Sequence, residues 1–244
     1  MLGSIRQNNQ WRWTAVGKHP AAADYVRLAD GTALLDAVAD WVAKGYDALL
    51  RNHGRPNSAH SWRFWLRGIK KGALICGLGC DSSDSLGRPF PFLVMGEGSL
   101  KHWEKQWPWL IAGLEKTWSR MEYIASHRYD DVSGLTQDLE TIAVPEGNTI
   151  NEASSQAVSG TFVNPEGWNV CIETLQRSGR ALIGLHSTPG VQTMHTVLET
   201  HVRLTSCCKE APRAVFLGGT PQQSYLAVIQ HPLSSDDFLT LWRV

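Results

Sequence analysis

Residues 81–92, Asp-Ser-Ser-Asp-Ser-Leu-Gly-Arg-Pro-Phe-Pro-Phe, concentrate groups that can do chemistry. Asp81 and Asp84 supply carboxylates, and Ser82, Ser83 and Ser85 supply hydroxyls. Arg88 supplies a guanidinium, which can clamp a phosphate or carboxylate with two parallel hydrogen bonds. The stretch has two readings. In the first, the Asp and Ser side chains fold back on nearby amides and Arg88 pairs with Asp81 or Asp84, so the loop satisfies only itself. In the second, it is a recognition surface or an anion site. Lys18 follows Gly17 and could serve the same anion, but the rest of a Walker phosphate loop is missing.

Other constellations are weaker. There are nine histidines, yet none forms a recognised ligand set. His195 and His201 lack the i,i+4 spacing of a helical zinc pair. His53 and His60 flank a Pro-containing loop, and His19 and His231 each precede a Pro. His19 with Asp81 or Asp84 makes a metal site on paper only. No Gly-x-Ser-x-Gly elbow occurs. The expectation is a protein with no catalytic set, no metal and no cofactor.

The elements that must position these residues follow from periodicity. Residues 11–17 alternate large apolar and polar side chains and read as a strand, running into the turn Gly17-Lys18-His19-Pro20. Leu34, Leu35, Val38, Trp41, Val42 and Tyr46 recur at three and four, one apolar helix face started at Gly31 or Thr32. Residues 62–66, 73–79 and 90–94 read as strands around the turn 68–72 and the loop 81–88. Gly87 can take positive φ. Pro89 and Pro91 predict a strand that begins at a sheet edge or starts irregularly. A helical region over 100–126 is started or kinked by Pro108, and a further helix is predicted within 129–142. Residues 148–160 are Ser- and Asn-rich and read as a loop. Strands are predicted at 168–175 and 181–185, then a helix capped at Ser187 or Thr188 with Pro189 first. A strand pair turns around Gly218-Gly219, and Ser234 or Ser235 caps a last short helix.

Strand groups alternating with amphipathic helices predict an α/β fold, a three-layer α/β/α sandwich with a mixed central sheet. Strands on both sides of residues 146–160 can share that sheet or form two domains. The two polar loops, 17–24 and 81–88, both follow strands. If those strands are adjacent and parallel, the loops converge at one end of the sheet.

Composition narrows the function. The chain has 244 residues, 43% hydrophobic and 19% charged, with 23 basic and 23 acidic side chains. Zero net charge argues against nucleic acid held by a basic face and against a polybasic membrane surface. No apolar run is long enough to cross a bilayer, and residues 1–10 are polar, unlike a secretory leader. The five cysteines cannot all pair; as free thiols they match the reducing cytoplasm. The eleven tryptophans read chiefly as core filling.

Taken together, Gly17-Lys18-His19-Pro20-Ala21-Ala22-Ala23-Asp24-Tyr25-Val26, Asp40-Trp41-Val42, Trp62-Arg63-Phe64 and Ser83-x-x-x-Gly87-Arg88-Pro89-Phe90-Pro91 resemble the TagF (ImpM) family of bacterial type VI secretion clusters. The likeness is good over about residues 11–140 and weaker beyond, and it treats 1–244 as one domain. Ala23 stands where the family often has Gly, and Ser82 where it often has Pro. The resemblance implies a cytoplasmic, non-enzymatic protein that restrains assembly of the secretion apparatus after translation. Its implied partner is the forkhead-associated scaffold protein of the system. Some relatives are fused to a PP2C-type phosphatase, which implies a link to that phosphatase pathway. The partner-binding candidates are Lys18, Asp24, Ser83, Asp84 and Arg88. Gly17, Pro20, Trp41, Trp62, Phe64, Gly87, Pro89 and Phe90 form the structural motif around them. The alternative is a small phosphate- or anion-binding module or enzyme built on Lys18, Asp84 and Arg88.

Overall fold

Ser61–Arg67 shows how alternation builds this molecule: Trp62, Phe64 and Leu66 enter one hydrophobic cluster, while Trp65 enters another on the opposite face. The computed structural model describes residues 11–145, 147, 150, 168–185, 194–205, 207, 208 and 210–244. Among them the strands are β1 (Arg12–Gly17), β2 (Val26–Leu28), β3 (Ser61–Arg67), β4 (Ala73–Cys80), β5 (Phe92–Ser99), β6 (Arg180–Leu185), β7 (Ala214–Gly219) and β8 (Ser224–Ile229). They make one eight-stranded sheet in the order β2-β1-β5-β4-β3-β7-β8-β6.

Every neighbouring pair is antiparallel, so the expected mixed sheet is corrected. Strands joined by a helical crossover can run the same way, but here other strands separate them. α1 (Ala33–His53) connects β2 to β3, and β1, β5 and β4 lie between those two. β6 and β7 are joined through α5 (Met194–Leu204) and kept apart by β8. Like-directed strands therefore never pair. The sheet takes strands from both halves of the chain.

α1 begins where Thr32 caps it, accepting from the Leu35 amide. It buries Leu35, Val38, Val42, Tyr46 and Leu49 with Trp62, Phe64, Ile75 and Met95 of the sheet. α6 (Ser235–Leu241) joins this cluster through Phe238 and Leu241. Ser234 caps it in a reciprocal capping box with Asp237. On the other face, α2 (Leu110–Ser126) and α3 (Val132–Leu139) pack on Trp65, Cys76, Phe92 and Val94. Trp103, Trp107 and Trp118 are buried there, with Trp103 edge-on to Trp65 at 5.2 Å between ring centroids. Pro108 lies in a 3-10 turn, Trp107–Trp109, that leads into α2.

Three further expectations change. Residues 168–175 are not a strand but the start of α4 (Trp168–Ser178). Trp168, Cys171, Ile172 and Leu175 turn inward while Asn169, Val170, Glu173 and Thr174 stay exposed, which is a helical period. Gly218 and Gly219 lie inside β7 rather than in its turn, which spans 220–223. β5 is an interior strand, which overturns the sheet-edge alternative, but its start is irregular as the other alternative has it: Pro89 makes only an isolated bridge to Ser83, and both prolines precede the strand, where no ladder donor is needed. The cap predicted at Ser187, Thr188 and Pro189 lies outside the described residues, as does most of the loop 148–160. No helix among the described residues is long and apolar enough to cross a membrane.

Candidate functional site

β1 and β4 run in the same direction with β5 between them, antiparallel to both. Their following loops therefore emerge at one end of the sheet although the strands are not adjacent. Gly17 makes the first loop possible. Its φ is +122°, and a Cβ there would lie 2.1 Å from the Pro91 carbonyl oxygen. Only glycine lets the chain leave β1 so close to the start of β5.

Asp84 is the centre of the arrangement. Its carboxylate is fully buried. Oδ1 accepts from the backbone amides of Leu86 (3.0 Å) and Arg88 (2.9 Å). Oδ2 accepts from Arg88 Nε at 2.7 Å and pairs with Lys18 Nζ at 3.0 Å. Arg88 reaches on to the first loop, donating from Nη2 to the Ala23 carbonyl at 2.6 Å and lying 3.5 Å from Asp24. The Ser85 amide donates to the Ala22 carbonyl at 2.8 Å. Gly87, at φ +75°, closes the turn with nothing near its missing side chain. The second loop is thus stitched to the first by one carboxylate and one guanidinium.

Burial by itself would raise the Asp84 pKa. Hydrogen bonds from the Arg88 amide, from Lys18 and from the Arg88 side chain outweigh it and hold the carboxyl well below its ordinary range. A carboxyl with a depressed folded pKa stabilises the fold fully above the unfolded pKa of about 4 and loses that contribution as pH falls below it. The stability gap between the native chain and Asp84→Asn will therefore be widest at neutral pH and shrink as pH drops below about 4. Urea melts of both proteins across that range check it; a gap constant with pH would show that the ionised form is not what the loop needs.

Lys18, Asp24, Asp84 and Arg88 are brought together. Ser83 is not: it makes a backbone bridge to Pro89 and stands outside the ion network. Arg88 pairs with Asp84, and Asp81 is turned elsewhere. Phe90 packs edge-on between Tyr25 and Tyr46, Trp41 donates to the Ser234 carbonyl at 2.7 Å, and Trp62 and Phe64 are core. Pro20 is exposed in the first loop. His19 is buried against Phe92 and Tyr129, among the described residues no acid pairs with it, and burial lowers its pKa. Among the described residues no group of three His, Cys, Asp or Glu could hold a metal.

Sequence reasoning missed two neighbouring networks. Asp81 accepts from the His60 amide (2.9 Å) and from Trp242 Nε1 (2.8 Å), and His60 Nδ1 lies 3.2 Å from it. Arg63 of β3 donates to Glu122 at 2.7 and 2.8 Å and to Glu115 at 2.8 Å. His60, Asp81, Arg63, Glu115 and Glu122 line a cavity of about 720 Å³ beside β3 and β7. The i,i+7 spacing of Glu115 and Glu122 on one helix face is the sequence signal that could have suggested a shared partner.

Chemically, Lys18 and Arg88 are already engaged by Asp84. An incoming anion would have to displace a buried, hydrogen-bonded carboxylate. A rigid pair of loops whose buried charges are already paired is better suited to contact with another macromolecule.

Comparison with known proteins gives two findings. A family model described as "TagF N-terminal domain, Type VI secretion system-associated" matches residues 14–142, more than half of the chain. The crystal structure of PA0076 from Pseudomonas aeruginosa PAO1 is similar in fold, with a TM-score of 0.57 at 16% identity, over 95% of this chain and 94% of that one. None of the curated proteins compared with the chain matches it.

Proposed function

The chain belongs to the TagF family of type VI secretion-associated proteins, and on that premise we propose that it is a regulator working by protein contact rather than by catalysis. It acts in the cytoplasm, after translation, to restrain assembly of the secretion apparatus. Its partner is the forkhead-associated scaffold protein of the system, with a PP2C-type phosphatase in the same pathway. The contact is made by the loops at 18–24 and 81–88.

The observation that carries this reading is the Asp84 network. It fixes the backbone of two exposed loops before any partner arrives, so little loop entropy is left to lose on binding. Within it, Asp84 is a positioning residue: its carboxylate is buried and cannot reach a partner. Arg88 and Asp24 keep 49% and 76% of their side chains exposed and are the contact residues.

Size-exclusion with light scattering tests the reading, using this protein alone and mixed with the scaffold from the same gene cluster. Co-elution is expected. Arg88→Ala is expected to weaken the complex by about tenfold or more, as loss of an interfacial arginine anchor does, and also to lower the melting temperature, because it removes a partner of the buried Asp84. Asp24→Ala, at a side chain that is 76% exposed, is expected to weaken the complex with a melting temperature close to the native one. Loss of binding only in variants that also melt early would assign Arg88 to structure. Absence of a complex at micromolar concentrations would overturn the choice of partner.

A further inference from the structure

The opposite end of the sheet has a different character. There the β3–β4 hairpin turns through Ile69, Lys70 and Lys71, and β5 runs out into Lys101. The Leu100 amide donates to the Gly72 carbonyl at 2.9 Å, and Glu104 accepts from the Gly72 amide at 2.7 Å. These bonds hold the turn against residues 100–105. Lys70, Lys71, Lys101 and Lys105 are all exposed, and among the described residues none of them enters an ion pair. Of the described acids nearby, Glu104 is occupied by the Gly72 amide and Glu210 by Arg67 at 3.3 Å. Ile69, at the tip, is 89% exposed, the most exposed of the large apolar side chains described.

Among the described residues the two ends differ in charge. The paired-loop end carries Asp24, Asp81, Asp84, Glu115 and Glu122 against Lys18, Arg63 and Arg88. The hairpin end carries Arg12, Arg67, Lys70, Lys71, Lys101 and Lys105 against Glu97, Glu104 and Glu210, a cationic excess.

We propose that this hairpin tip docks on the surface of an anionic lipid bilayer. An exposed apolar side chain next to two lysines in a turn, with two more lysines on the segment bonded to that turn, matches a layer of phosphate headgroups over acyl chains. All four cations are lysines, compact and strongly hydrated charges on flexible stems, which suit diffuse headgroups. The planar fork of arginine, which suits paired carboxylates on a protein, occurs beside this turn in Arg67, which is already paired with Glu210. One isoleucine and four lysines give a weak, reversible, salt-sensitive association rather than an anchor.

Co-sedimentation of the full chain with phosphatidylcholine vesicles, and with vesicles mixed with phosphatidylglycerol, tests this. Binding is expected to the mixed vesicles only and is expected to fall as salt rises. Lys70→Gln/Lys71→Gln should lower the partition coefficient about 30-fold, at about fivefold per lysine. Lys101→Gln/Lys105→Gln, on a separate segment, should do the same. Ile69→Ser should lower it about tenfold with the salt dependence unchanged. Equal sedimentation with both vesicle types, or partitioning unaffected by either lysine pair, would overturn the proposal. So would retention on immobilised polyglutamate with no vesicle binding, which would assign the tip to an acidic protein.

Discussion

In Phe238→Ala the unfolding free energy is expected to fall by about 3–5 kcal/mol, the range for removing a fully buried phenyl ring. Phe238 is completely buried on α6. Its ring stacks on Trp242 at 4.3 Å and meets Trp41 edge-on at 5.6 Å. The site cannot collapse easily, because three rigid elements surround the ring. α1 accepts it at Gly45, where a Cβ would come within 2.2 Å of the Phe238 side chain. Glycine costs a helix interior about 1 kcal/mol against alanine, so its presence mid-helix marks a close approach. At roughly 2–4 °C per kcal/mol for a chain of this size, the melting temperature should drop by about 10 °C. Denaturant and thermal melts of the variant check it. A loss under about 1 kcal/mol would mean that α6 is an appendage and not part of the core.

The same substitution reaches the candidate site. Trp242, the stacking partner of Phe238, donates its indole N–H to Asp81 at the base of the 81–88 loop. Asp81 in turn holds His60 at the start of β3. The last helix of the chain therefore latches onto the loop that the first half of the chain contributes. That connection, between positions 161 residues apart, has no local trace in the sequence.

What was legible in the sequence was local. The α1 face, the Thr32 start, the Ser234 cap and the strand periods around 12–17, 61–67 and 73–80 all follow from short-range pattern and side-chain hydrogen bonding to the backbone. What was not legible depended on neighbours far along the chain. Residues 168–175, Trp-Asn-Val-Cys-Ile-Glu-Thr-Leu, read as a strand from the sequence because a short run of mixed polarity fits either period, and the partner surface decides in favour of α4. The sense of strand pairing failed for a related reason. A helix between two strands predicts like direction, which the topology gives for β2 and β3, but adjacency is set by which hairpins insert between them. The two polar loops converge through strand direction alone, since β1 and β4 run the same way with β5 between them, so the condition of adjacency is not needed. Asp84 shows the limit for the site. Its residue type marked it as functional, but its role depends on burial under Lys18 and Arg88, and burial is a tertiary property. A carboxylate that positions a loop and one that touches a partner look the same in a string of letters.

His201 should make the fold sensitive to mild acid, by about 3 kcal/mol in all. The ring is wholly buried on α5, 5.9 Å from Trp107, with Nδ1 2.9 Å from the Val197 carbonyl. Burial pushes its pKa down to about 4, against a small opposing effect of that hydrogen bond. The folded state thus holds neutral imidazole where the unfolded chain, with a pKa near 6.5, takes up a proton. A base whose folded pKa is lowered gives full stability above the unfolded pKa and loses it as pH falls toward the folded one. Between pH 6.5 and 5 the loss should be about 2 kcal/mol, reaching about 3 near pH 4, at about 1.4 kcal/mol per pH unit. Other groups titrate over the same range, so the informative quantity is the difference from His201→Phe. That variant keeps an aromatic ring against Trp107 and removes the titration. The two proteins should be within about 1 kcal/mol of each other at pH 7, and the variant should be the more stable at pH 5. Parallel acid dependence of the two would place the proton uptake elsewhere. The direction of the effect matters for the paired loops as well. Asp84 loses its contribution only below about pH 4, so at pH 5 the α5 side of the core loosens while the Asp84 network is still intact.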